Sequence, residues 1–204
     1  MGCACCSNAS SEKDSLRVAI FGLENSGKTS LAQSLKTSKK LSKRSASVST
    51  HGVLAINVRI TTPTDFHLLL FDCGGCKHQR HIWPHLLNNA DLIVFTVDSI
   101  DVTCLHDARD ALFDLLDDEG LNDKPLLVVF TKADRQATLT TSQMEQALNL
   151  SLIQVNQTAN RGPTLFSLSN AFHLGSVHSQ SFLLVDHFSW MDVDAHMVLL
   201  LQSL

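Results

Sequence analysis

"LRVAIFGLENSGKTSLAQSL", residues 16–35, is the stretch on which the reading of the fold turns. It opens with a short apolar run closed by Gly22, and Leu31 and Leu35 recur at helical spacing beyond the next loop. The stretch therefore reads as strand, Gly-rich loop and helix. Residues 22–29, "GLENSGKT", fit G-x-x-x-x-G-K-[ST] in the strand-to-helix setting that the pattern needs. Glycines let backbone N–H groups turn toward an anion, and the helix N-terminus adds positive potential. Lys28 can reach terminal phosphates, and Thr29 offers a hydroxyl to Mg²⁺. Such a loop is built to hold a nucleoside phosphate.

Outward from this loop, residues 53–61, the turn "TPTD" and residues 66–71 read as a hairpin. Residues 91–98 and 125–130 are continuous apolar runs of the kind found in strands buried on both faces. Between them Leu105, Ala108, Leu112, Leu115 and Leu116 mark one face of a helix. Strands alternating with helices predict an α/β fold with a mainly parallel sheet. Leu184, Phe188, Met191, Ala195 and Val198 predict a closing C-terminal helix, and residues 151–180 carry no legible pattern. Residues 7–15, "SNASSEKDS", read as a flexible tether, which divides the chain into a tail at 1–15 and a domain at 16–204.

With 204 residues, 44% of them hydrophobic, the chain suits one domain with a sizeable core. Its six cysteines come without a secretory apolar segment, which predicts a reducing compartment and makes chance triplets of the glycosylation-like sites at Asn8, Asn149 and Asn156. The apolar runs fall far short of the roughly 20 residues of a membrane-spanning helix. Net charge is −4, unevenly placed: residues 25–64 hold no acid, whereas 101–123 hold eight acids against one Arg. The basic cluster Lys36, Lys39, Lys40, Lys43 and Arg44 lacks interleaved aromatics, which argues against a nucleic-acid platform.

Two further motifs carry chemistry. "TKAD", residues 131–134, follows a buried strand. The Asp134 carboxylate there can accept hydrogen bonds from N1–H and the exocyclic amine of guanine, while adenine's N1 acceptor would be repelled, so Asp134 selects GTP over ATP. The stem of Lys132 can lie along the ring. "FDCGGCKHQRHIW", residues 71–83, contains C-x-x-C. On its own it reads as a metal clamp of Cys73, Cys76, His78 and His81, as a redox pair, or as a phosphate-sensing loop.

Taken together, "GLENSGKTS", "FDCGGCKHQRHIW" and "NADLIVFTVDSID" resemble the phosphate loop, the W-D-V-G-G-Q…R-x-x-W segment and the following strand of the ADP-ribosylation factor-like (Arf/Arl) small GTPases, in register over residues 16 to about 150. The resemblance implies a P-loop small G domain, a mostly parallel six-stranded sheet with helices on both faces. It implies GTP or GDP with Mg²⁺ bound along Gly22, Glu24, Asn25, Ser26, Gly27, Lys28, Thr29 and Ser30. "STHG" stands for the first switch, so that Thr29, Thr50 and Asp72 serve Mg²⁺. Lys28, Thr50 and the N–H of Gly75 act at the γ-phosphate. Thr131, in place of the usual Asn, would hold guanine with Lys132 and Asp134, and "SNA" supplies Asn170 and Ala171 near the base oxygen. The C-x-x-C spacing then follows from the two switch glycines.

The same resemblance puts Cys76 where the family has the glutamine that orients water, which implies slow GTP hydrolysis by a weak GTPase. The alternative is a non-hydrolysing docking module. At the N-terminus, "MGCACCS" departs from M-G-x-x-x-[ST] at Cys6 but offers Gly2 for myristoylation and Cys3, Cys5 and Cys6 for palmitoylation. Two acyl chains anchor stably where one does not. The expected protein is a monomer, lipid-anchored on the cytoplasmic face of a membrane, meeting effectors and regulators at its switches. Residues 7–15 lack the apolar face of the amphipathic helix usual in the family. Lys39, Lys40, Lys43 and Arg44 would assist on anionic lipid.

Overall fold

The computed structural model describes residues 15–37, 50–60, 66–121, 124–132, 139–152, 164–166 and 184–185. Strand β1 (Ser15–Gly22) runs into the loop of residues 23–27 and then helix α1 (Lys28–Thr37). Strands β2 (Val53–Ile60) and β3 (Phe66–Cys73) form the expected antiparallel hairpin, in register from Val53 opposite Cys73 to Ile60 opposite Phe66. A 3₁₀ turn (Lys77–Ile82) leads into α2 (Trp83–Asn89), then β4 (Leu92–Asp98), α3 (Leu105–Leu116), β5 (Pro125–Thr131) and α4 (Thr141–Ala147). Short strands β6 (Thr164–Phe166) and β7 (Leu184–Val185) follow.

The sheet runs β2-β3-β1-β4-β5-β6, with β7 also on β5. All pairings are parallel except that of the hairpin. A strand has two edges, and β4 occupies one edge of β5. The β6 and β7 segments must therefore share the other, β6 beside residues 125–127 and β7 beside Val128 and Val129. Six positions across the sheet, as expected, are thus filled by seven segments.

Side chains alternate across β1: Ala19 and Phe21 face a core shared with α2, α3 and α4, while Val18 and Ile20 face one shared with α1. That alternation places helices on both faces and leaves the C-terminal ends of β1, β3, β4 and β5 to carry the loops. Leu31, Ala32 and Leu35 seat α1 on its face, and Leu35 is fully buried. On the other face α3 buries Leu105, Ala108, Ala111, Leu112 and Leu115, with Leu116 packed at the margin.

Two elements differ from expectation. Leu184 lies in strand β7, not in a closing helix, because its backbone pairs with Val128. Phe188, Met191, Ala195 and Val198 lie outside the described residues. Helix α4 was not anticipated, although a capping box announces it: the Thr140 hydroxyl accepts from the Gln143 N–H, and the Gln143 side chain accepts from the Thr140 N–H.

Candidate nucleotide site

The site is built at the C-terminal ends of the parallel strands, where the first strand-to-helix crossing opens. Positive φ at Gly22 (139°), Asn25 (60°) and Gly27 (89°) turns the loop. The first helical bond of α1 is Leu31 N–H to Gly27 C=O, at 2.9 Å. By helix geometry the N–H groups of Lys28, Thr29 and Ser30 precede it and open onto the loop. Glu24 and Asn25 are exposed; Ser26 and Lys28 are buried.

Lys28 donates to the Leu23 carbonyl at 2.6 Å. Burial pushes its pKa down from 10.5 to about 8, and the Asp72 carboxylate opposes part of that shift. A buried ammonium held mainly by a carbonyl is a group suited to an anionic partner.

Thr29, Thr50 and Asp72 converge from three parts of the chain. The Thr29 hydroxyl donates to Asp72 Oδ2 at 2.6 Å and lies 2.9 Å from that of Thr50, which reaches the same carboxylate oxygen at 3.2 Å. The other Asp72 oxygen, Oδ1, is buried without a partner. Hard oxygen donors around one carboxylate suit Mg²⁺, which takes few protein ligands and fills its octahedron with water and phosphate. Among the described residues no group of three or more His, Cys, Asp or Glu side chains could hold a metal ion, so an all-protein cage of such side chains is not offered there.

Gly74 and Gly75 are held against the loop from behind. Trp83 Nε1–H donates to the Gly74 carbonyl at 3.1 Å, and Arg80 Nε–H to the Gly75 carbonyl at 3.1 Å. In a trans peptide the N–H points opposite the carbonyl, so the Gly75 N–H is directed away from Trp83. A Cβ on Gly75 would meet the Gly22 carbonyl at 2.4 Å and Lys28 Nζ at 2.6 Å, which is why glycine is required here. Trp83 is seated against Phe21 and Phe95, and Arg80 lies over its ring. The R-x-x-W spacing therefore serves the two glycines. Residues 51 and 52 join residues 74–79 through Gly74 N–H to Gly52 C=O at 2.8 Å and through Gln79 to His51 at 3.1 Å.

The two cysteines of C-x-x-C part company. Cys73 is buried, and its thiol donates to the Phe71 carbonyl at 3.3 Å. Burial and then the neighbouring Asp72 push its pKa up to about 12. Cys76 is half-exposed, 3.5 Å from His78 Nε2. Both thiols are free. Cys73, Cys76, His78 and His81 form no metal-holding group among the described residues, and a thiol as buried as that of Cys73 resists becoming the thiolate that a redox pair needs.

At the far end of the site, Thr131 is turned inward. Its hydroxyl lies 2.7 Å from the Ser26 carbonyl and 3.1 Å from that of Val97. Lys132, at φ 60°, pairs with Asp98 at 2.5 Å. Asp134, Asn170 and Ala171 lie outside the described residues, as do Gly2, Cys3, Cys5 and Cys6.

The sequence model of the ADP-ribosylation factor family matches residues 4–173. The chain belongs to the ADP-ribosylation factor family. Guanine-nucleotide binding and a GTP-dependent switch come with that membership. This Arf-family chain is 32% identical to ADP-ribosylation factor-like protein 2 of Arabidopsis thaliana over 66% of its own length and 69% of that protein's. It is 30% identical to the small COPII coat GTPase SAR1 of Giardia intestinalis over 68% and 69% of the two chains. In structure it is similar to the Arl6 BBS3 small GTPase of Trypanosoma brucei, solved with the nucleotide analogue GppNp, with TM-score 0.57, 25% identity and coverage of 68% and 79%. The mammalian SRP receptor structure, at TM-score 0.58 and 22% identity over 71% and 77%, shares the fold. No described helix of the Arf-family chain is long and apolar enough to cross a membrane.

Sequence reasoning missed Thr96, Asp98, His51 and Gln79 as members of this site. Thr96 and Asp98 lie in β4, whose apolar run invites reading the whole strand as core; a Thr at the centre of such a run was the available signal.

Proposed function

We propose that this Arf-family protein is a membrane-anchored GTP-binding switch that hydrolyses GTP slowly. The observation that carries the proposal is the convergence of Thr29, Thr50 and Asp72 beside Lys28, with Gly75 pressed against the phosphate loop. In this reading the loop of residues 22–30 binds the phosphates, Thr29 and Thr50 hold Mg²⁺, and Asp72 holds it through water. Mg²⁺ supplies charge for the phosphate oxygens. Lys28 binds the terminal phosphates, and the Gly75 N–H donates to the γ-phosphate. Asp134 reads guanine, with Lys132, Asn170 and Ala171 around the ring. Thr131 holds guanine with them, its hydroxyl tied as well to the Ser26 and Val97 carbonyls.

Phosphoryl transfer depends on positioning and charge, which these groups provide, and on an oriented water. Cys76 has a short side chain and a weak hydrogen-bonding group where the family has glutamine, so hydrolysis is slow. Cys76 also favours a second reading, a docking module that does not hydrolyse nucleotide. Nucleotide released from the purified protein tests the first: guanine nucleotide is expected, and failure to bind GTP or GDP would remove the proposal. Restoring glutamine, Cys76→Gln, should accelerate single-turnover hydrolysis with GTP affinity nearly unchanged. An unaltered rate would place the defect elsewhere.

Anchoring is proposed to rest on acylation of Gly2 with Cys3, Cys5 or Cys6. Gly2→Ala should move the protein from the membrane to the soluble fraction; persistent membrane association would assign the anchor to another part of the chain.

A further inference from the structure

We infer that Thr96, in the middle of β4, is a positioning residue for phosphate binding, acting through Ser26. The inference rests on the nucleotide site proposed above. Thr96 is fully buried, and its hydroxyl lies 2.7 Å from the Ser26 hydroxyl and 3.2 Å from the Phe21 carbonyl. The Phe21 carbonyl can only accept, so Thr96 Oγ1 donates to it. Donation to the Phe21 carbonyl leaves it accepting the Ser26 proton, which satisfies both hydroxyls. Ser26 is itself 2% exposed, so this bond is shielded from water and from competition by it.

The contact spans 70 residues of sequence and joins the phosphate loop to the strand beside it. Gly22 records how close the approach is. A Cβ there would lie 2.4 Å from the Thr96 carbonyl, 2.5 Å from its hydroxyl and 2.8 Å from the Ser26 hydroxyl. Ser26 is also gripped from the other side, where the Thr131 hydroxyl lies 2.7 Å from its carbonyl. The neighbouring Gly27 would place a Cβ 3.2 Å from Thr131. With its side chain fixed by β4 and its carbonyl by β5, residue 26 cannot rotate its peptide freely. The Gly27 N–H belongs to that peptide, and the Lys28 N–H follows it. The two threonines thus set the direction of the donors that an anion would meet, and Thr96 does so without touching it.

The test is a double-mutant cycle in the full-length protein. Thr96→Val keeps the shape and deletes the hydroxyl, and Ser26→Ala deletes the partner. Each should speed GDP release about tenfold, one well-made buried hydrogen bond. The double variant should release no faster than either single variant, because both delete one interaction. Thr96→Ser should restore the wild-type rate. The loss should scale with phosphates, large for GDP and GTP and small for GMP, and the ³¹P resonance of bound GDP should shift. Additive rates in the double variant, or equal losses for GMP and GDP, would overturn the inference. Should Thr96→Val fail to fold, Ser26→Ala with its own GMP comparison decides the matter from the loop side. A wild-type protein that binds no guanine nucleotide fails the proposed function; wild-type binding with unchanged variants fails only Thr96.

Discussion

In the proposed nucleotide site the phosphate end and the base end are secured in different ways. At the phosphate end Lys28, Asp72, Ser26 and Thr96 are buried, and each has at least one bond made inward to strand or loop. At the base end the side chain of Lys132 is 28% exposed and that of Asp98 16%, and one ion pair joins them. Burial raises the cost of an unmade bond, and exposure lets water replace it. Substitutions should therefore be severe at the first end and graded at the second.

Removal of Lys28 should have the largest effect. Lys28→Met keeps the buried stem and deletes the charge, and binding of GTP and GDP should weaken by about 2–5 kcal/mol, roughly 30-fold or more, as for loss of one partner from a buried charged pair. Equilibrium titration with a fluorescent nucleotide measures it, and a change below threefold would show that the phosphate end is no more demanding than the base end. A pH experiment sharpens the point. Burial pushes the Lys28 pKa down to about 8 in the folded protein, against the ordinary 10.5. Below the lower value both states carry the proton and the group gives no slope. Between the two the unfolded chain binds more protons, so stability should rise with pH across that window. Lys28→Met should remove the rise, as read from urea unfolding.

Asp72→Asn comes next. The amide can still accept a hydroxyl proton from Thr29 but brings no charge, and the apparent affinity for Mg²⁺ should fall about 10- to 100-fold. The check is the Mg²⁺ dependence of nucleotide release. An unchanged dependence would detach Asp72 from the metal and leave its unpartnered Oδ1 unexplained.

Legibility in the sequence follows the same division. The loop of residues 22–29, the hairpin and the buried strands are local patterns whose consequences appear within a few residues, and each stands where its periodicity placed it. Thr29, Thr50 and Asp72 were assigned together through a family likeness, and they do meet. Thr131 shows what such a likeness leaves out. The resemblance makes it a base contact, and the structure adds that its hydroxyl is engaged with the Ser26 carbonyl, 105 residues away in sequence. Thr96 was illegible for a similar reason: a hydroxyl inside an apolar strand acquires meaning only once Ser26 is folded onto it. Leu184 was misread because a two-residue strand has no period of its own.

Asp98→Asn should give the smallest effect, and it tests the base end directly. The asparagine oxygen can still accept the Ile100 N–H, which Asp98 Oδ1 receives at 3.0 Å, so the turn after β4 should survive. What is lost is the charge that draws Lys132 back along the strand end. Lys132 sits at φ 60°, a conformation that costs an L-residue about 1 kcal/mol or more and must be held by its surroundings. The Ser99 N–H to Thr131 carbonyl bond, at 3.1 Å, supplies part of that hold and is untouched by the substitution. The remaining loss is that of a partly exposed ion pair, about 0.5–1.5 kcal/mol, or roughly two- to tenfold in nucleotide release. Because the pair lies away from the phosphates, GTP, GDP and GMP should be released faster by the same factor, with no change in Mg²⁺ dependence. A loss confined to GTP and GDP would mean that Asp98 acts on the phosphate end through β4, as Thr96 is inferred to do, and the two ends would then be one mechanical unit.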